Sequence, residues 1–306
     1  MLGAIIGDIV GSPYEFFKVY RRSEVKPFER TIHGSCRFTD DTVMTLAVAR
    51  ALVNNLNETD AIIEEEVARS LQTYYLKYPL KKKIFNVETN MDPYGKGFKR
   101  WVAGDVSQYR EAKTNGAAMR VTSIGWLYND LERALQVTEL TVKRSHNSKE
   151  AIASAQAIVM AVLLARQKLD KTVIAKHLEL KFGYIFPINK DELKFEVGKI
   201  RSENKKHRKI ALFKERYNFI DCDSHSTARN AIYAFLISEN FEDCIKTAIS
   251  FGGDSDTIAC MAGAIAEAYY SIPAEWERNA MNILEESCKS DDIVFINDFH
   301  KRFCAV

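Results

Sequence analysis

The feature that most limits how this chain can fold is a pair of acidic clusters, each set just ahead of an apolar run. The first, Phe38-Thr39-Asp40-Asp41-Thr42, precedes Val43, Met44, Leu46, Ala47, Val48, Ala51 and Leu52. The second, Gly252-Gly253-Asp254-Ser255-Asp256-Thr257, precedes Ile258, Ala259, Met261, Ala262, Ile265, Ala266, Ala268 and Tyr269. Both runs repeat at helical spacing, and the second is rich in small residues, as buried helices are. The acids are therefore expected at helix entrances, with glycines allowing a tight approach. Asp, Ser and Thr are also the preferred N-caps, so each cluster alone has a plain structural reading. A cap uses one oxygen, however, and here three or four donors stand in a row at two distant places. Carboxylates so crowded repel unless a cation lies between them. Carboxylate and hydroxyl oxygens without thiolate or paired imidazoles suit a hard ion, magnesium or manganese. Two such clusters facing each other have room for two ions.

Composition narrows the remainder. The 306 residues, 46% hydrophobic and 27% charged, have enough chain to bury a sizeable core. With only 14 Gly and 6 Pro and long helix-period segments, the chain reads as a single all-α domain. Lys and Arg number 43 against 41 Asp and Glu, a net charge of +2. Bulk charge therefore gives no pull toward nucleic acid or acidic lipid, and neither partner is expected. The six cysteines (Cys36, Cys222, Cys244, Cys260, Cys288 and Cys304) show no CxxC pairing and read as reduced thiols. The N-terminus lacks a basic leader and Asp8 interrupts its apolar run, so no signal peptide is expected. No run reaches the length of a membrane span, and the cytoplasm is the expected compartment.

Along the chain, Gly3, Gly7 and Gly11 recur every four residues and give one helix a small-residue face for close packing. Asp8 reads as a buried hydrogen-bonding residue of that helix. Glu15, set among Tyr14, Phe16 and Phe17, is a candidate for chemistry. Pro13 ends the helix or starts a new turn. Further helices are expected over Asp60–Tyr78, Asp130–Lys143, Ser148–Gln167, Ser226–Ile237, Glu242–Phe251 and Ala274–Cys288. Asn147 with Glu150 reads as a capping box for the Ser148 helix. The stretch from Asn90 to Lys113 reads as irregular, its aromatics either lining a pocket or anchoring the loop to the core. Asn115-Gly116-Ala117-Ala118-Met119-Arg120 lets the backbone approach either a ligand or another helix. His146 is placed to contact a polar ligand or to serve as a structural residue. Residues 181–223 form a basic irregular insert, with Lys205, Lys206, Arg208, Lys209, Lys214 and Arg216 either attracting a phosphorylated substrate or forming a solvated surface.

Taken in order, these motifs carry a resemblance over most of the chain. They are Gly3-Ala4-Ile5-Ile6-Gly7-Asp8 with Gly11 and Glu15; Arg37 to Thr42; Tyr94-Gly95 with Phe98 and Trp101; Asn115 to Val121; His146-Asn147; Phe241-Glu242-Asp243; and Gly252 to Thr257. The set resembles the ADP-ribosylglycohydrolase family, in particular its short bacterial members. That family includes the dinitrogenase-reductase-activating glycohydrolase and the animal ADP-ribosyl-acceptor hydrolases. The resemblance implies an all-α orthogonal bundle with two Mg2+ or Mn2+ ions at its centre. It implies that Thr39, Asp40 and Asp41 face Asp254, Asp256 and Thr257 across the metals. It places Glu15 near the scissile bond as the first catalytic candidate, ahead of Asp40 and Asp41. Asn115, Gly116, Ala117, Ala118, Met119 and His146 match segments that contact ADP-ribose. The implied reaction is hydrolysis of the bond between ADP-ribose and an acceptor, either a protein side chain or a small molecule. A non-catalytic ADP-ribose-binding module and a purely structural helical protein are the alternatives on the same fold. Ser224-His225-Ser226-Thr227-Ala228-Arg229 departs from the Cys-Gln-Gly-Ser-Val-Pro-like stretch of short relatives. Thr114-Asn115-Gly116-Ala117-Ala118 departs from their Gly-Asn-Gly-Ser-Ala. These departures bear on which acceptor is admitted.

Overall fold

Local chemistry sets where each apolar run starts and stops as a helix. The computed structural model describes residues 1–15, 22–31, 34–81, 83–84, 87–88, 93–104, 111–186 and 222–304. The first half of the chain supplies α1 (Leu2–Gly11), α2 (Asp40–Asn54), α3 (Asp60–Lys77), α4 (Lys96–Val102), α5 (Ile124–Leu127), α6 (Leu131–Val142) and α7 (Lys149–Arg166). The second half supplies α8 (Lys171–Phe182), α9 (Ser224–Leu236), α10 (Phe241–Ser250), α11 (Ser255–Tyr269), α12 (Ala274–Ser287) and α13 (Ser290–Phe299). Among the described residues the strands are one two-residue antiparallel pair, β1 (Lys83–Ile84) and β2 (Val87–Glu88), so the architecture is all-α as expected.

Several helices open on a side-chain oxygen that accepts an otherwise unpaired N–H of the first turn. Asp130 does this for α6, Asp223 for α9 and Asn240 for α10. The cap of α7 is Ser148, whose hydroxyl accepts from the Ala151 N–H at 3.1 Å. The capping box expected of Asn147 and Glu150 does not form: Ser148 takes the extended backbone that a cap requires, which puts Ala151 rather than Glu150 at the position whose side chain would reach back. Pro13 ends α1 into a single 3-10 turn, Ser12–Tyr14, and Glu15 follows at its C-cap.

The core is laid around α11. Every residue from Ser255 to Ala268 is buried, and the helix packs against α1, α7, α9 and α10. All ten residues of α1 are buried too. The glycine face of α1 explains how the two helices come so close. A Cβ on Gly3 would strike the Gly263 carbonyl, one on Gly7 the Ala259 carbonyl, and one on Gly11 would lie 2.5 Å from the Asp256 Cα. The pair therefore runs antiparallel, with Gly11 beside the start of α11. The N-terminal glycine face thus does the packing that its spacing predicts.

Part of the 90–113 stretch is more regular than its composition suggests, since α4 lies within it. Tyr94, Phe98 and Trp101 are buried, and Tyr94 meets the ring of Tyr75 at 4.8 Å between centroids. The aromatics anchor this stretch to α3. The basic residues Lys205 to Arg216 lie outside the described residues. No helix among the described residues is long and apolar enough to cross a membrane. All six cysteines are free.

Candidate active site

The two acidic clusters meet. Thr257, at the start of α11, donates its hydroxyl hydrogen to Asp41 Oδ2 of α2 at 3.1 Å, a contact spanning 216 positions of sequence. The element that draws them together is α1. Its Asp8 is fully buried and accepts four hydrogen bonds: from the Thr39 N–H (2.8 Å) and hydroxyl (2.7 Å), and from the Thr42 N–H (3.1 Å) and hydroxyl (2.5 Å). Asp8 thus fastens the entrance of α2, while Gly11, one turn on, fits against Asp256.

The cap reading divides between the clusters. Thr39 does cap α2, accepting from the Asp41 N–H. Asp254 occupies the N-cap position of α11 without making a cap bond, and instead accepts from Asn115 Nδ2 at 2.7 Å. Gly252 and Gly253 precede it with φ of 75° and 76°, the left-handed region that a side chain disfavours. Two successive left-handed residues turn the chain sharply out of α10, which is what directs Asp254 inward. Asp256 accepts from the Thr257 N–H at 3.0 Å.

The carboxylates fall into two overlapping sets. One ligand oxygen each from Asp8, Asp41 and Asp256 lie within 4.8 Å of one another, and so do those from Glu15, Asp254 and Asp256. Asp256 belongs to both. Asp8 was legible in the sequence only as a buried hydrogen-bonding residue; its place beside Asp41 and Asp256 depends on the helix crossing. Asp41 Oδ1 is buried with no hydrogen-bond partner among the described residues, and so is the Ser255 hydroxyl.

Electrostatics show what this crowding costs. Burial, then the charges of Glu15, Asp8 and Asp254, holds Asp40 well above the ordinary carboxylate range. Burial, then Asp8, Asp40 and Asp254, does the same for Asp41, and burial with Glu15, Asp254 and Asp41 does so for Asp256. Asp8 is also raised by burial, against the opposing bonds from Thr42 and Thr39. An orphaned carboxylate oxygen inside a set of mutually repelling acids, with hydroxyls alongside and no basic side chain in either set, fits hard dications.

Asn115 to Ala117 form a 3-10 turn beside the acids, and Ala118 and Met119 follow with buried side chains. This turn is clamped to the start of α9: the Asn115 N–H donates to the Cys222 carbonyl and the Ser224 N–H to the Lys113 carbonyl, both at 2.9 Å. The departing segment Ser224–Arg229 therefore forms the opening turns of α9 and borders the Asn115 turn. His146 is only 1% exposed and lies beneath that turn. Its Nε2 is 3.1 Å from the Thr114 hydroxyl and its Nδ1 is 2.9 Å from the Ser145 hydroxyl. A Cβ on Gly116 would lie 3.1 Å from His146 Nε2, so the glycine leaves the ring its space. Burial, reinforced by Arg120, lowers the His146 pKa well below the usual value and keeps the ring neutral.

The sequence model described as ADP-ribosylglycohydrolase matches residues 1–302. The chain belongs to the ADP-ribosylglycohydrolase family. Its relatives include the mouse (Mus musculus) ADP-ribosylhydrolase ARH3, 28% identical over 91% of this chain and 85% of that protein. The human (Homo sapiens) ADP-ribosylhydrolase ARH3 is also 28% identical, over 91% of this chain and 87% of that protein. An uncharacterized protein of Archaeoglobus fulgidus is 26% identical over 90% and 88%. Among solved structures, a chain of an ADP-ribosylglycohydrolase-related protein complex superposes with a TM-score of 0.59 at 19% identity, covering 94% of this chain and 97% of that one. This likeness shows the fold. The acidic clusters of this family member thus stand in a fold that a solved structure shares.

Proposed function

We propose that this protein is a metal-dependent hydrolase that cleaves the glycosidic bond between ADP-ribose and an acceptor, a modified protein side chain or a small molecule. The observation that carries the reading is the Thr257–Asp41 contact, which merges two distant oxygen clusters into one centre within a chain of this family. Thr39, Asp40, Asp41, Asp254, Asp256 and Thr257 would hold two Mg2+ or Mn2+ ions, and the membership of Asp256 in both carboxylate sets supports a pair sharing that residue. When bound, the ions would supply Lewis-acid orientation of the ribose hydroxyls and a lowered pKa for a water.

The protein's own groups do the rest. Glu15 lies just past α1, partly exposed, with a carboxylate oxygen close to those of Asp254 and Asp256. It is the group with both access to substrate and proximity to the acids, and its role is to steer or deprotonate the attacking water as the sugar becomes oxocarbenium-like. Asp40, at the entrance of α2, is the second candidate, with Asp41 after it. The turn Asn115, Gly116, Ala117, Ala118 and Met119 is assigned to ADP-ribose. His146 contributes from below by fixing that turn through Thr114.

The test is release of ADP-ribose from arginine- and serine-modified peptides, with Mg2+, with Mn2+ and with chelator. Release that stops in chelator supports the reading, whereas full release in chelator removes the metals from it. Binding of ADP-ribose without any release, across the panel, leaves a recognition module instead. Glu15→Gln is expected to retain ADP-ribose binding while turnover falls by about 100-fold or more; unchanged turnover removes Glu15 from the catalytic role.

A further inference from the structure

At the far end of the α1–α11 pair stands a second cluster of a different chemical character. Glu267 lies 11 positions beyond Asp256 on α11, about 16 Å along the helix axis at 1.5 Å per residue. Its carboxylate Oε2 forms a buried ion pair with the Met1 ammonium at 2.5 Å and accepts from the Gly3 N–H at 2.9 Å, and Oε1 accepts from the Leu2 N–H at 3.2 Å. Facing Oε1 is the imidazole of His300, followed one turn later by Cys304. His300 and Cys304 are held on one side by a five-residue π-helical turn, His300–Cys304, that follows α13. Such turns are rare and concentrate at functional sites.

One ligand atom each of Glu267, His300 and Cys304 lie within 4.8 Å of one another. His300 Nδ1 is buried, has no hydrogen-bond partner among the described residues, and stands 3.7 Å from Glu267 Oε1, the spacing of a loose ion pair when the ring carries a proton, which a metal would replace. That separation is too long for a hydrogen bond. It is close to the roughly 3.4 Å between a nitrogen and an oxygen bound to one tetrahedral zinc at the usual bond lengths. The donor set of thiolate, imidazole and carboxylate also differs from the all-oxygen acid centre and selects a borderline ion over magnesium. The geometry points to a second, separate metal site formed by Glu267, His300 and Cys304, for a zinc-like dication. Glu267 is 3% exposed and His300 40% exposed at the side chain, so a bound ion would be reached from the His300 side, with its fourth position open to solvent. Filling it would pin the π-helical turn to α11 and to the start of α1.

The experiment uses the full chain, stripped with chelator and then held in excess Mg2+ so that the acid centre is supplied with its preferred ion. Cobalt(II) is titrated in as the spectroscopic probe, and zinc is then used to displace it. Expected is a thiolate-to-cobalt absorption in the near ultraviolet that zinc abolishes, together with a zinc-induced rise in melting temperature. Cys304→Ser should remove the absorption and weaken zinc binding by about 100-fold or more, since even outer-shell changes cost 10–100-fold. His300→Gln should act in the same direction, and it covers the case in which the cysteine variant fails to fold. ADP-ribose release in Mg2+ should be unchanged in Cys304→Ser, which separates this site from the acid centre. Absence of the cobalt band in the wild-type chain, or a band and zinc affinity unchanged in Cys304→Ser, overturns the proposal. Either result leaves the proposed hydrolase activity untouched.

Discussion

Asp8 shows how much one side chain can organise. Its four accepted hydrogen bonds fix the N-terminus of α2 and hence the direction of Asp40 and Asp41. Asp8→Asn would turn an NH2 group toward donors that need acceptors. Leaving a buried donor unpaired costs about 1–3 kcal/mol each. Removing the Asp8 charge offsets part of this by easing repulsion on Asp41. The expected outcome is a net loss of about 2 kcal/mol in urea unfolding, with ADP-ribose release reduced far more than binding of free ADP-ribose. Stability and release both unchanged would mean that Asp8 does not position α2.

At the scale of elements, the α1–α11 crossing sets the distance between the acid clusters. Gly7→Ala would drive a methyl group into the Ala259 carbonyl, and Gly11→Ala would press on the Asp256 Cα. Overpacking of this kind costs about 1–3 kcal/mol, so both variants should unfold at lower urea. Only Gly11→Ala shifts Asp256 itself, so it should lose more Mg2+ affinity at equal loss of stability. Magnesium titrations of the two variants, followed by melting temperature, decide this. Equal metal affinity in both would mean that the crossing near Asp256 yields without moving the carboxylate.

Over the whole molecule, the C-terminal helices are tied to the first half of the chain by a buried carboxylate. Asp292 of α13 is fully buried and takes hydrogen bonds from Tyr74 (2.5 Å), Tyr78 (2.6 Å) and Arg50 (2.7 Å), with Lys77 Nζ at 2.7 Å. Burial alone would raise its pKa, but the bonds from Lys77, Tyr74, Tyr78 and Arg50 outweigh it and leave the pKa below the ordinary value of 3.8. A depressed carboxylate stabilises the fold above its unfolded pKa, and that stabilisation disappears as pH falls through the folded value. Acid unfolding followed by circular dichroism should therefore carry an Asp292 contribution confined to pH below about 4. Asp292→Ala is expected to cost about 1–3 kcal/mol at neutral pH, because the Tyr74 and Tyr78 hydroxyls lose a buried acceptor while Lys77 and Arg50 keep Asp291. A loss under about 1 kcal/mol, the range of an exposed ion pair, would show that the tie is not structural.

Local order could be read from the residues: helical periods, the glycine face of α1, and the two acidic entrances. These depend on neighbours within a turn or two, where sequence spacing is spatial spacing. Anchoring of Tyr94, Phe98 and Trp101 to the core is one of the two alternatives that the 90–113 stretch offers, but the helical form of α4 escapes that reading, because burial against α3 overrides a composition that suggests a loop. Two bonds closing the centre, Thr257 to Asp41 and Asn115 to Asp254, join positions 216 and 139 apart. Sequence supplied their donors and acceptors, but only packing brought them within hydrogen-bond range. The same holds for Asp8, whose residue type predicts a buried polar group and whose company of carboxylates follows from where α1 crosses α11. Chemistry was written in the residue types; the distances that make it a site exist only once the helices have packed.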